Sequence, residues 1–189
     1  MRYAFLVCLA LVSAALPVQA REVAGATVPE EVRLHADGTA LTLNGAGIRH
    51  RFFVNVYVGA LYLPQRADTL AAIEAMPGGR RMAMHFVHSE VGADKLVQAW
   101  VEGFERNSTA EEFRALRPRI ANFNGLFPTL RKGDRVDVDF PATGGVEVWI
   151  NGTLRGRVRG EDFARALLRV WLGEHPADDG LKNGLLGRR

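Results

Sequence analysis

The chain has 189 residues, of which 24 are Lys or Arg and 21 are Asp or Glu, so its formal net charge is +3. The basic residues are interspersed with acids and show no dense run and no zinc-finger spacing, which argues against a nucleic-acid partner. The single cysteine, Cys8, has no partner for a disulfide within the chain.

The first twenty residues have the three parts of a secretory signal peptide. Arg2 supplies the positive charge, an apolar run follows, and residues 18–20 form a small-residue cleavage site. We expect residues 1–20, including Cys8, to be removed, and residues 21–189 to form one domain. The richness in Arg and Ala indicates a bacterial source, for which the compartment is the periplasm. No later segment approaches the roughly 20 apolar residues of a membrane helix, so no membrane span is expected.

The N-terminal part of the mature chain is predicted to begin with an irregular segment, which we call the N-terminal lead, followed by short strands. Residues 21–29 are expected to form a mobile lead. Residues 32–34 and 39–43 have strand composition and are separated by an Asp-Gly turn. Residues 44–47 are rich in glycine and are expected to break the strand.

Residues 48–63 form a long run rich in Phe, Val and Tyr, which favours a strand over a helix. Read with a period of two, this run places Phe52 and Val54 on an apolar core face and Arg49 and Tyr57 on the other face. The second face is the most informative feature for function. A few polar groups within an apolar surface can hold the head group of an oily ligand.

The middle of the chain is predicted to be mainly helical. Residues 68–76 indicate a short helix, and residues 81–87 indicate a strand. A helix capped by Ser89 should follow, with apolar residues in one buried stripe. Thr109 has capping-box spacing and opens a second long helix, which Pro118 should kink or interrupt.

The C-terminal part carries the clearest local patterns. Residues 135–140 and 146–150 alternate between apolar and polar side chains, and an Asn-Gly hairpin signal leads into a third strand at residues 153–158. Residues 161–172 indicate an amphipathic helix. The leucines of the tail are expected to dock on the body. Strands early and late with helices between them predict an α+β fold, in which helices cover an antiparallel sheet.

Two sequence motifs resemble a known family. LNGAGIR followed by VYVGALYLP resembles the conserved region of chalcone isomerase-like proteins, and VWLGEHPADDGLKNGLLG resembles the ending of their bacterial secreted branch. The resemblance implies an open-faced β-sandwich, in which a large antiparallel sheet is backed by helices. The family includes enzymes that cyclise chalcones and non-catalytic relatives that bind fatty acids.

The resemblance also implies a ligand-binding pair. In family members an arginine after the Gly-rich segment meets the anionic part of the ligand, and Arg49 matches it. The enzymes have a threonine on the following strand, whereas the fatty-acid binders have a tyrosine, and this chain offers Tyr57. The enzymes also have a tyrosine and an asparagine at the start of the next helical region, where this chain reads VGADKLVQAW and has neither.

The spacing of the two residues sets a structural condition. In one straight strand, Arg49 and Tyr57 would lie roughly 26 Å apart at about 3.3 Å per residue. They can hold one head group only if the chain reverses between them, within residues 50–53.

Other candidate sites have simpler explanations. His85 and His88 are spaced so that they point to opposite faces of a strand, which argues against a shared metal. Asp137 and Asp139 are expected to lie on a solvated face of the sheet. No hydrolase, nucleotide-binding or zinc-protease motif occurs in the sequence.

The sequence therefore predicts a periplasmic protein that binds a fatty acid or similar amphipathic carboxylate through Arg49 and Tyr57. We expect no catalytic residue, cofactor or metal, and the oligomeric state stays open. Two alternatives are an intramolecular lyase of the chalcone isomerase type and a protein-interaction module whose cleft is filled by Phe and Leu side chains.

Overall fold

The computed structural model describes residues 20–188. Within this range the chain forms both strands and helices. The strands are β1 (Ala20–Val23), β2 (Ala26–Pro29), β3 (Glu31–Arg33), β4 (Ala40–Arg51), β5 (Val54–Leu63), β6 (Arg80–Phe86), β7 (Glu90–Val91), β8 (Leu130–Arg131), β9 (Arg135–Phe140), β10 (Val146–Ile150) and β11 (Thr153–Val158). The helices are α1 (Leu70–Ala75), α2 (Ala93–Arg106), α3 (Ala110–Asn124), α4 (Glu161–Leu172) and α5 (Asp179–Leu185).

The central element is a seven-stranded sheet with the order β11-β10-β9-β6-β5-β4-β3. Every neighbouring pair in it is antiparallel. The main core lies between one face of the sheet and the helices, and a second cluster lies on the other face, where the β1–β2 hairpin contributes Ala26 and Val28. This architecture confirms the predicted α+β class, with a large antiparallel sheet covered by helices.

Strand β5 is buried on both faces. Tyr57, Leu61 and Leu63 belong to the main core on the helix side, whereas Val58 and Tyr62 belong to the second cluster. A strand with two buried faces needs apolar side chains at nearly every position. This requirement explains why residues 57–63 are so hydrophobic.

The expectation of one continuous strand over residues 48–63 is wrong. The chain reverses at Phe52 and Phe53, which form the turn between β4 and β5. Phe52 is 89% exposed, Phe53 is fully exposed and Val54 is 39% exposed, so the predicted core face does not extend to the turn. The run contains no Gly, Asn or Asp at the point of reversal, so it lacked the usual turn signal.

The glycine-rich segment does not break the strand. Gly45 and Gly47 lie inside β4, where they allow the backbone of α5 to approach closely. A Cβ atom on Gly45 would overlap the carbonyl oxygen of Gly184 and lie 2.8 Å from that of Leu185, and one on Gly47 would lie 2.9 Å from that of Leu181. The two sequence motifs that carry the family resemblance therefore pack against each other.

The N-terminal lead is more ordered than expected. Instead of a mobile segment, residues 21–29 belong to the β1–β2 hairpin, in which Arg21 pairs with Val28 and Val28 is buried. The predicted signal peptide lies, apart from Ala20, outside the described residues.

Most other predicted elements are confirmed, with two corrections in the helices. Strands β9, β10 and β11 and helix α4 have the predicted bounds, and Thr109 caps α3 by accepting a hydrogen bond from the backbone N–H of Glu112 at 3.1 Å. Helix α2 begins after Gly92 rather than at Ser89. Helix α3 continues through Pro118, so the proline does not interrupt the helix.

The predicted solvated aspartates are buried. Asp139 is bound by Arg81 through two hydrogen bonds of 2.5 and 2.8 Å, and its Oδ2 atom also accepts the backbone N–H of His35 at 3.0 Å. Asp137 accepts a hydrogen bond from Arg135 at 2.8 Å. These charges are tolerated inside the fold because each carboxylate has cationic and hydrogen-bonding partners.

Candidate ligand-binding cleft

The β4–β5 hairpin brings Arg49 and Tyr57 together. The two residues are direct register partners, so their side chains lie on the same face of the sheet. This arrangement confirms that the chain reverses within residues 50–53. The next pair joins His50 to Asn55 and leaves Val56 without a partner, which is a β-bulge. Bulges commonly re-aim side chains next to functional sites.

Arg49 is a mostly enclosed cation with spare hydrogen-bond donors. Its side chain is 20% exposed. The Nη1 atom donates to the backbone oxygen of His50 and lies 3.8 Å from Oδ2 of Asp178. A guanidinium group has five N–H donors, so the His50 carbonyl occupies only part of its capacity. The remaining donors can bind a second anion.

Tyr57 is a buried neutral donor. Nε1 of Trp171 donates a hydrogen bond to its hydroxyl oxygen at 3.1 Å, and among residues 20–188 no acceptor takes the hydroxyl proton. Burial raises the pKa of Tyr57 to about 12, against smaller lowering effects from Arg49 and the Trp171 hydrogen bond. The hydroxyl therefore keeps its proton at physiological pH.

Both side chains line one cleft of about 410 Å³. The cleft lies between the β4–β5 hairpin, helix α2 and residues 175–177, which precede α5. Its apolar wall includes Val54, Val56, Met84, Leu96, Ala99, Trp100 and Val170. Small-molecule sites commonly combine such a wall with a few polar groups at this volume. The alternative of a cleft filled by Phe and Leu side chains is not supported.

The cleft carries a positive charge balance. Its lining includes four basic side chains, from Arg49, Arg51, Lys95 and Arg106, and the acidic side chains of two glutamates, Glu90 and Glu102, which gives +2 with histidines neutral. Asp178, which lies beside Arg49, offsets one of these charges. The site therefore favours an anionic head group over a cationic one.

Sequence reasoning missed Asp178 as a neighbour of Arg49. Asp178 caps α5 by accepting the backbone N–H of Leu181 at 2.8 Å, and its second carboxylate oxygen accepts the backbone N–H of His50 at 3.0 Å. The residue lies within the C-terminal motif and has the spacing of a helix cap. Its position beside Arg49 depends on the docking of α5, which local pattern does not show.

Comparison with known proteins identifies the family. The family model described as chalcone isomerase-like matches residues 20–187. The chain belongs to the chalcone isomerase-like family. No curated protein shows a significant match to this chalcone isomerase-like sequence.

A solved structure supports the same fold for this chalcone isomerase-like chain. The crystal structure of a fatty-acid binding protein of Arabidopsis thaliana superimposes with a TM-score of 0.64 at 14% sequence identity, covering 83% of this chain and 96% of that chain. At this identity the similarity shows the fold alone.

His85 and His88, which were considered as a metal-binding pair, do not lie in one site. His85 pairs with Arg135 on the face of β6 away from the helices, whereas His88 lines the cleft. Within residues 20–188 no three His, Cys, Asp or Glu side chains are grouped as metal ligands would be. No helix in the described part of the chalcone isomerase-like protein is long and apolar enough to cross a membrane.

Proposed function

We propose that this chalcone isomerase-like protein binds a fatty acid or a similar amphipathic carboxylate without transforming it. The observation that carries the proposal is the pairing of Arg49 with Tyr57 on the wall of a largely apolar cleft of about 410 Å³. The carboxylate binds these two side chains, and the alkyl tail lies along the apolar wall.

The two polar groups suit a carboxylate for different reasons. Arg49 is permanently charged, and its planar group can form two parallel hydrogen bonds to a carboxylate. Tyr57 adds a neutral donor whose position is fixed by Trp171. Limited exposure strengthens these interactions, because a charge-assisted hydrogen bond is less screened away from bulk water.

The lack of the enzymes' tyrosine and asparagine on α2 favours binding over catalysis. Closing a chalcone ring requires polar groups that stabilise the developing enolate. The residues that α2 contributes to the cleft are Lys95, Leu96, Ala99, Trp100, Glu102, Gly103 and Arg106, and none is a tyrosine or asparagine. The similar plant protein is described as fatty-acid binding, which agrees with this proposal.

We also propose that the protein works in the periplasm after cleavage behind Ala20. Such cleavage would retain the pairs Arg21–Val28, Glu22–Thr27 and Val23–Ala26 of the β1–β2 hairpin. Cell fractionation with N-terminal sequencing tests the proposed location and cleavage site. A periplasmic protein beginning at Arg21 is expected, and a cytoplasmic protein that keeps residues 1–20 would contradict it.

A matched pair of ligands tests the binding proposal. Solvent extraction and mass spectrometry of the purified protein should identify a long-chain carboxylic acid. The delipidated protein should bind this acid about 10- to 100-fold more tightly than the alcohol of the same chain length, because hydrogen bonds to a charged group contribute about 1.5–3 kcal/mol. Calorimetry or a fluorescent displacement assay measures both affinities. Equal affinities for acid and alcohol would contradict a cationic head-group site.

A further inference from the structure

The tip of the β4–β5 hairpin exposes two aromatic rings. Among residues 20–188 the large hydrophobic side chains that are exposed are Phe52, Phe53 and Val54, and all three lie at this tip. Contiguous apolar groups that face water are unusual at a protein surface, and they commonly mark a place where another surface is bound.

The backbone conformation of the turn is a second indication that the exposed tip binds another surface. Phe52 has a φ angle of +54°, which is in the left-handed region that favours Gly and Asn. In the β10–β11 hairpin of the same chain, the two turn residues are Asn151 and Gly152, with φ angles of +50° and +77°. The β4–β5 turn instead places an aromatic residue, Phe52, at a position where folding alone favours Asn or Gly. Folding therefore does not explain the choice of Phe52.

The surroundings of the tip are basic and join the cleft. Arg51 is exposed and the side chain of His50 is half exposed. Both Arg51 and Phe52 also line the cleft, so the tip forms part of its rim. An anionic surface that met the aromatic rings would also meet the positive balance of the cleft lining.

We propose that Phe52 and Phe53 insert into the interface of an anionic lipid bilayer, with Arg51 contacting the lipid head groups. A fluid bilayer can accommodate the two protruding rings at its interface, where aromatic side chains are favoured. Basic residues next to the rings add attraction to anionic lipids. On the proposed function, this contact would place the rim of the cleft where a fatty acid leaves the membrane.

Vesicle flotation with a stabilising variant tests the inference. The full mature protein should float with vesicles of phosphatidylglycerol and phosphatidylethanolamine, and much less with phosphatidylcholine alone. The double variant Phe52→Asn/Phe53→Ser should lose at least about tenfold in vesicle affinity. Because asparagine tolerates the left-handed backbone, its melting temperature should stay equal or rise. Arg155→Ala removes an exposed charge on β11 and should float like the wild type.

Two outcomes would overturn the inference. One is a wild-type protein that does not float with anionic vesicles, even if it binds another protein. The other is a double variant that floats as well as the wild type. The preference for acid over alcohol is measured without vesicles, so a failure of the membrane contact and a failure of the binding proposal can be told apart.

Discussion

Replacing Arg49 with alanine should remove the preference for an acid over its matched alcohol. The change deletes the cation of the proposed head-group site, so acid affinity should fall about 10- to 100-fold, whereas alcohol affinity should change little. The structure supports this expectation because Arg49 lies opposite Tyr57 and retains unused donors. Titration of both ligands into wild-type and variant protein gives the coupling between Arg49 and the carboxylate.

A charge control and a stability measurement show whether the loss of acid affinity is specific to Arg49. Arg155→Ala removes one positive charge from an exposed position on β11, which is outside the cleft, and should leave both affinities unchanged. The melting temperature of Arg49→Ala should stay close to that of the wild type, because its ion pair with Asp178 is 3.8 Å long and partly exposed. An unchanged acid affinity would contradict a head-group site at Arg49, and a variant that does not fold would make Arg49 a structural residue.

Asp178→Asn is a second variant of the same site, and it should change acid affinity in the opposite direction to Arg49→Ala. Asparagine is as good a helix cap as aspartate, so α5 should remain capped, but its amide nitrogen cannot accept the N–H of His50, and the melting temperature should fall slightly. The variant removes the carboxylate that competes with a ligand for Arg49, and acid affinity should rise several-fold. If Arg49 served only to hold Asp178, the same change would leave acid binding unaltered or weaken it.

Adding one methyl group at Gly45 should strongly destabilise the fold. The new Cβ atom would overlap backbone oxygens of α5, which cannot move aside as a flexible side chain can. Overpacking of this kind costs about 1–3 kcal/mol and sometimes more, and we expect Gly45→Ala to lie at or above the upper end. Denaturant unfolding measures the loss. Displacement of α5 would also move residues 175–177 of the cleft lining, so acid binding should weaken.

Gly156→Ala is the matched control for Gly45→Ala. Gly156 also lies in a strand, but its nearest neighbour would be the side-chain Cδ2 atom of Leu126 at 2.6 Å, which can shift. The control should therefore lose much less stability. If the two variants were equally stable, the close contact between β4 and α5 would not be a requirement of the fold.

Local sequence patterns correctly predicted those strands and helices that are determined by residues close together in the sequence. Strands β9 to β11 alternate cleanly around an Asn-Gly turn, and α4 has one apolar stripe that ends at Gly173, so their bounds were readable from sequence. The class of fold follows from the order of these elements. The placement of Arg49 opposite Tyr57 was predicted only as a condition, since spacing alone does not show where a chain reverses.

The missed features all depend on contacts between distant residues. Gly45 and Gly47 looked like a turn because nothing near them in sequence reveals that α5 packs on their backbone. Asp137 and Asp139 looked solvated because Arg81, which binds Asp139 and lies 3.7 Å from Asp137, belongs to another strand. Each error has the same cause: the local pattern shows residue types, whereas tertiary packing determines burial.

The turn at Phe52 and Phe53 was missed for a different reason. Its residues contradict the local rule for hairpins, because aromatic side chains occupy positions where Gly, Asn or Asp is usual. Departures from local rules are expected to concentrate at functional positions. The same departure led to the proposal that this tip contacts a membrane.

A crystal structure of the delipidated protein with a long-chain fatty acid tests the central claim most directly. The account predicts that the carboxylate lies within about 3 Å of both the Arg49 guanidinium and the Tyr57 hydroxyl, with the alkyl tail along the wall formed by Val56, Leu96 and Trp100. A carboxylate in solvent, a reversed ligand, or a fatty acid bound outside this cleft would contradict it.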